Sequence, residues 1–203
     1  MKKIDWKLLL VTSSLFLIPL VLVALYYGQL PAVLHTHFGV ENSPNQMSDK
    51  WMSLIFTPLL AFFFHIFLCI VLDVTKNGQI PVVKVAKWFT PLITTLITVM
   101  ILVYHLGHQI DNRRLVVALL AGVYLIMGNY TPKAVVGMTS QALADRRKTA
   151  YLFIGGGLAI LISLFFAPIV SVIALVMFTG VAIIWSICVA VKGYRHSRKS
   201  DIL

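Results

Sequence analysis

The chain has 203 residues, 59% hydrophobic and only 12% charged, with a mean hydropathy of +0.90. A soluble domain carries about 25% charged residues, and it cannot hide several uncharged runs of about 20 residues, each long enough to cross roughly 30 Å of hydrocarbon. The composition therefore excludes a soluble domain and identifies an integral membrane protein.

The first uncharged run, 8–27, follows Lys2, Lys3 and Lys7. It exceeds the roughly 7 to 15 residues of a signal-peptide core and lacks a small-x-small cleavage site, so it reads as a retained signal anchor. Runs at 51–72, 88–107 and 115–130 add three spans, each ended by polar or charged residues. The last run, 151–191, would reach roughly 60 Å as one helix, about twice the core thickness. It must fold back. Pro168 in "FFAPIVS" is the natural turn, because proline breaks the helical hydrogen-bond ladder and disfavours helix in the residue before it. The expectation is an all-α polytopic membrane protein in a single domain, 1–203. Its bundle of six transmembrane helices covers 8–27, 51–72, 88–107, 115–130, 151–167 and 169–191, with an outer loop at 28–50.

Orientation follows from the basic residues, which favour cytoplasmic segments. With both termini cytoplasmic, the inner segments hold Lys2, Lys3, Lys7, Lys76, Lys84, Lys87, Lys133, Arg146, Arg147, Lys148, Lys192, Arg195, Arg198 and Lys199. The outer loops keep only Lys50, Arg113 and Arg114, the last two against the bias. The net charge of +10 is thus explained by membrane lipid, since each juxtamembrane cation gains about 1 kcal/mol near anionic headgroups. No basic stripe is interleaved with stacking aromatics, so no nucleic-acid partner is expected, and the tail "KGYRHSRKSDIL" reads as a juxtamembrane anchor.

Ionisable groups at membrane depth are costly and are functional suspects. His65, in "LLAFFFHIFLC", stands mid-span, and its plain reading is a neutral imidazole bonded to a backbone carbonyl or a hydroxyl. No carboxylate lies inside a span away from its ends, which disfavours a carboxylate proton relay. Cys69 and Cys188 read as buried small apolar side chains within spans, with no disulfide framework. No metalloprotease, serine-hydrolase, paired-glutamate or phosphate-loop motif is present, so no catalytic residue and no enzyme activity is expected. The "GGG" at 155–157 suits close helix packing. "FTPL" occurs at 56–59 and 89–92; an inverted repeat and a coincidence of prolines near helix starts are the two readings. Thr131 and Pro132 read as the cap and first turn of a helix.

The outer side concentrates the remaining chemistry. His35 and His37 lie in the loop, and His105 and His108 form an i,i+3 pair at the end of the third span, with Glu41, Asp49 and Asp111 nearby in the topology. Neutral imidazoles at these spacings suit zinc or copper, whereas solvated or interfacial histidines need no cofactor. No cofactor is expected, and zinc is the metal these residues would admit.

The stretch "LPAVLHTHFGVENSPNQMSDKW" also carries a family pattern: Leu30, Pro31, Val33, His37, Phe38, Gly39, Ser48 and Lys50. With "GNYTPK" (Gly128, Asn129, Tyr130, Lys133), it resembles the SdpI-like bacterial toxin-immunity family with its N-terminal membrane domain of unknown function. The chain departs from that pattern after Lys133, where "AVVGMTSQALADRRKTA" replaces the Gly-x-Arg-Thr-Pro-Trp stretch.

The resemblance implies a multi-pass protein of the bacterial cytoplasmic membrane. Such a protein would bind or neutralise a secreted antimicrobial peptide, a bacteriocin-like toxin, and relay its presence to a regulatory protein inside. His37, Phe38, Gly39, Glu41, Asp49 and Asp111 would then face the peptide, with Trp51 as interfacial anchor. The rival expectations are an accessory subunit of a membrane transporter or exporter, and a metal or small-solute permease using the outer histidines and His65.

Overall fold

The computed structural model describes residues 4–74, 80–108, 110–133 and 140–200, of which 140, 141 and 194–200 by backbone alone. Lys2, Lys3 and Lys76, expected on the inner side, the segment 134–139 and the side chains of Arg195, Arg198 and Lys199 lie outside the described residues. The chain is a helical polytopic membrane protein. Five stretches are long and apolar enough to cross a bilayer: Trp6–Gln29, Met52–Val74, Pro81–His105, Asn112–Tyr130 and Pro168–Gly193. Their large apolar side chains, such as Leu60, Phe63 and Phe67 on one span and Ile173, Val176 and Ile184 on another, stay exposed. Exposure on that scale marks a surface made for hydrocarbon.

Two compact units divide the chain, Met1–Val116 and Val117–Leu203, where the sequence suggested one domain. The first begins with α1 (Trp6–Ser14) and α2 (Leu17–Tyr26), ending in a 3₁₀ turn, Tyr27–Gln29. The expected loop 28–50 is instead largely an antiparallel hairpin of β1 (Val33–Phe38) and β2 (Pro44–Asp49). A π-helical turn, Met52–Phe56, then leads into α3 (Thr57–Val74). Next come α4 (Pro81–Ala86) and α5 (Phe89–His105).

The interruptions in these spans share one cause. A proline inside a helix donates no hydrogen bond, and its ring crowds the carbonyl four residues earlier. Pro19, Pro58 and Pro91 stand four residues after Leu15, Leu54 and Lys87. Leu15 separates α1 from α2, Leu54 centres the π turn, and Lys87 follows α4. The Leu15 carbonyl, which loses its partner four residues on to Pro19 and accepts the Ile18 amide at 3.2 Å instead, also accepts the Thr95 hydroxyl of α5 at 3.3 Å, so the break becomes a cross-link. Each "FTPL" proline thus lies near the start of its helix and is explained locally.

The second unit contains most of α6 (Asn112–Tyr130), α7 (Ser140–Ser163) and α8 (Pro168–Ser200). Pro168 opens α8 after a tight turn, as the length argument required. Lys192 to Asp145, Trp185 to Thr149 and Phe178 beside Gly156 give α7 and α8 an antiparallel register. The helix expected at Thr131 and Pro132 is not there: both lie in a turn after α6, and α7 begins at Ser140. Val117, Ala121 and Ile160 form the buried centre, with Tyr124, Leu161, Leu164, Leu175 and Phe178 packed against it. The apolar part of α7, 151–163, reaches about 20 Å, shorter than the five candidate spans, and the span expected at 151–167 is not among them.

Candidate functional site

The hairpin is held to the first unit by fixed contacts at its base, side and tip. At its base, the Tyr27 carbonyl accepts the Leu30 amide of the 3₁₀ turn at 3.4 Å, and carbonyls at a helix C-terminus keep capacity for further donors. Lys50 donates to the carbonyls of Tyr27 and Leu30 at 3.0 Å, with its ammonium 4.3 Å from the centre of the Tyr27 ring. Lys50 is thus a staple between the entry and exit of the hairpin. Leu30 and Leu34 drop into the core formed by Val23, Leu54, Ile101 and Leu102, while Pro31 stays exposed.

Along β1, the His35 amide donates to His105 Nε2 at 2.9 Å, and His105 Nδ1 donates to the Ile101 carbonyl at 2.8 Å. Both ring nitrogens of His105 are engaged, which sets a neutral ring protonated at Nδ1. The His35 and His105 rings stack at 5.8 Å, and Phe38 packs edge-on against Tyr104 at 4.8 Å.

The tip turns through Gly39 and Asn42: the Asn42 amide donates to the Gly39 carbonyl, and the Gly39 amide to the Ser43 carbonyl. Asn42 has φ 60°, a left-handed conformation that asparagine tolerates better than most residues. Its side chain donates to the Ile110 carbonyl at 2.8 Å and accepts from the Asn112 amide at 3.0 Å. Asn42, not among the expected site residues, is the clasp between the turn and the start of α6.

The sequence-predicted site residues thus fall into separate groups. Glu41 and Asp49 are exposed on the hairpin, and Trp51 stacks on Phe56 at 5.7 Å beside the π turn. His37 is exposed, with Nδ1 3.2 Å from the Thr36 hydroxyl. Asp111, expected to face a partner, instead caps α6: it accepts from the Arg114 amide at 2.9 Å and pairs with Arg113 and Arg114. The structure brings His35 and His105 together, leaves His108 exposed, and among the described residues shows no group of three His, Cys, Asp or Glu side chains placed to hold a metal.

"GNYTPK" has its own local explanations in the second unit. A Cβ at Gly128 would stand 3.0 Å from the Ala150 carbonyl oxygen, so glycine permits α6 and α7 to approach. Lys133 lies over the Tyr130 ring at 3.6 Å, and Arg146 donates to the carbonyls of Thr131 and Lys133. Asn129 is exposed.

Away from the hairpin, the first unit buries a polar chain. Thr12 donates to the Leu8 carbonyl at 2.8 Å, which leaves the His65 Nε2–H to donate to the Thr12 hydroxyl at 2.9 Å. Cys69 Sγ lies 3.7 Å from the same ring, and Cys188 is exposed rather than buried. Beyond them Lys87 pairs with Asp73, their side chains 0% and 1% exposed, and the Asp5 amide donates to Asp73 at 3.1 Å. Asp5 also accepts from the Leu8 amide and so caps α1. The ion pair was missed because each charge had been read as the end of a span. Opposite charges at the facing ends of consecutive spans were the signal.

No curated protein and no solved structure matches the chain. One family model does: residues 14–62, covering α2, both strands and the start of α3, match the family described as a domain of unknown function, DUF1648.

Proposed function

We propose that the chain is a multi-pass protein of the bacterial cytoplasmic membrane, with six crossings and both termini inside. Its hairpin recognises an extracytoplasmic peptide and protects the cell against it, as in the toxin-immunity family it resembles. The supporting observation is the clasped hairpin, which presents Glu41 and Asp49 to solvent while its own cation, Lys50, is turned beneath it. A surface fixed in advance gives up little ordering entropy when a partner binds. On this reading the basic inner segments, Arg146 and Lys148 among them, receive a cytoplasmic regulatory protein.

The test is expression in a sensitive host challenged with culture supernatant from the source organism. Survival is expected with the unaltered chain and is reduced in the Glu41→Gln/Asp49→Asn variant at equal membrane abundance. Unchanged survival, together with no supernatant peptide retained by the purified protein, refutes the reading.

A further inference from the structure

We propose that the open edge of β2 is a strand-addition site for an extended, cationic polypeptide segment; this deepens the reading of the hairpin as a recognition surface and rests on it. The argument begins with the ladder. Val33 pairs with Asp49, Leu34 with Ser48 and His35 with Met47, and the Lys50 amide donates to the Ala32 carbonyl at 2.9 Å. Antiparallel pairs alternate between those that exchange hydrogen bonds and those that do not. The bond at Ala32 and Lys50 therefore puts Leu34 and Ser48 among the exchanging pairs. It aims the backbone groups of His35, Met47 and Asp49 away from the partner strand.

The two edges have different fates. On β1 the outward His35 amide is taken by His105 of α5, so that edge is covered. On β2 the Asp49 carbonyl accepts from the Ser53 hydroxyl, but the N–H and C=O of Met47 and the N–H of Asp49 face outward. Met47 is 66% exposed, and Pro44, Asn45 and Gln46 are exposed as well. Edge strands are normally guarded by lysine, by inward charges or by a covering element. Here the adjacent lysine points beneath the hairpin to the carbonyls of Tyr27 and Leu30. Main-chain groups left in this state are what a strand-adding peptide uses for affinity, with alternate side chains supplying specificity.

Charge selects the occupant. The exposed ionised groups of the hairpin are Glu41 and Asp49, while Arg113 and Arg114 are paired with Asp111. An added strand placing lysine or arginine beside Asp49 makes a favourable cross-strand pair, and an acidic strand an unfavourable one.

The experiment uses the full chain in nanodiscs of zwitterionic lipid, with empty nanodiscs as control. The probe is a short synthetic peptide of alternating lysine and valine, compared with two versions N-methylated on one or the other alternating set of amides. Binding to loaded discs is expected to fall about tenfold or more when the edge-facing amides are methylated, and little when the other set is. Met47→Pro should cause a similar loss while Leu34 and Ser48 amides keep their exchange protection, because the lost N–H points away from β1. Asp49→Asn should weaken binding and flatten its salt dependence.

Equal affinity of both methylated peptides, an unaffected Met47→Pro variant, or no binding of the lysine-valine peptide overturns strand addition. The two readings separate cleanly. Protection of the host with an indifferent β2 edge removes strand addition alone, and edge binding without protection removes the immunity reading alone.

Discussion

The two units solve the same problem by different means. Lipid tails are as apolar as the helix surfaces, so helices in a membrane associate through close packing and hydrogen bonds rather than through exclusion of water. In Val117–Leu203, glycine lets backbones approach: a Cβ at Gly157 would stand 3.0 Å from the Ala121 carbonyl oxygen, and one at Gly156 would meet the Phe178 ring. In Met1–Val116, helices interrupted by Pro19, Pro58 and Pro91 are joined through polar groups. The Leu15 carbonyl takes Thr95, Thr12 takes His65, and Lys87, at the break before Pro91, reaches Asp73. Interruption and cross-linking go together because a broken ladder exposes backbone groups that need partners.

The largest effect should come from breaking the cross-link with the most at stake. Removing one partner of a buried ion pair leaves the other charge unpaired, at a cost of about 3–5 kcal/mol, whereas replacing both with apolar residues is often neutral. Asp73→Ala is therefore expected to lower the thermal stability of the detergent-purified protein strongly, and Asp73→Leu/Lys87→Met to recover most of the loss. If the single variant melts with the unaltered protein, the polar account of this unit fails.

Close packing in the other unit should be less costly to disturb. Gly128→Ala pushes against the Ala150 carbonyl and the Ile154 amide, each 3.0 Å from the added carbon, while a Cβ at Gly122 on the same helix meets nothing within 4 Å. Overpacking of this kind costs about 1–3 kcal/mol, and Gly122→Ala should be neutral or slightly stabilising because alanine favours helix. Equal melting of the two variants would show that small residues do not set the approach of α6 and α7.

Much of this contrast was legible in the residues, though unevenly. Five of the six expected spans coincide with helices long and apolar enough to cross a membrane, 151–167 not being among them; the length of 151–191 required the turn at Pro168, and the glycine triplet pointed to packing. His65 was read as a neutral group bonded to a carbonyl or hydroxyl, and Thr12 supplies that hydroxyl. The hairpin is signalled only weakly: "VLHTHF" is followed by a turn-forming "GVEN", a period-two signal, but the second strand, "PNQMSD", begins with proline and is mostly polar. Asp73 and Lys87 were missed because spans were drawn to stop at charges, which hides the case where two charges are buried together. His105 illustrates the limit of residue type: its Nε2 suits a metal in the sequence, and in the fold it accepts the His35 amide.

The hairpin tip belongs to the cross-linked unit, yet its clasp is neutral and partly exposed, so the expected effect is smaller and local. Asn42→Gly keeps the left-handed turn, which glycine adopts freely, and removes the two bonds to Ile110 and Asn112. A neutral hydrogen bond contributes about 1 kcal/mol net, too little to unfold a unit whose core includes Leu34 and Ile101. The change should therefore appear as faster amide exchange at residues 38–47 with little shift in melting temperature. Unchanged exchange would mean that the base staple at Lys50 and the histidine contact at His105 hold the hairpin without its tip. Faster exchange would instead show that Asn42 couples the turn to α6, and under the proposed strand addition loosening the turn should then weaken capture of an extended strand without touching β2 itself.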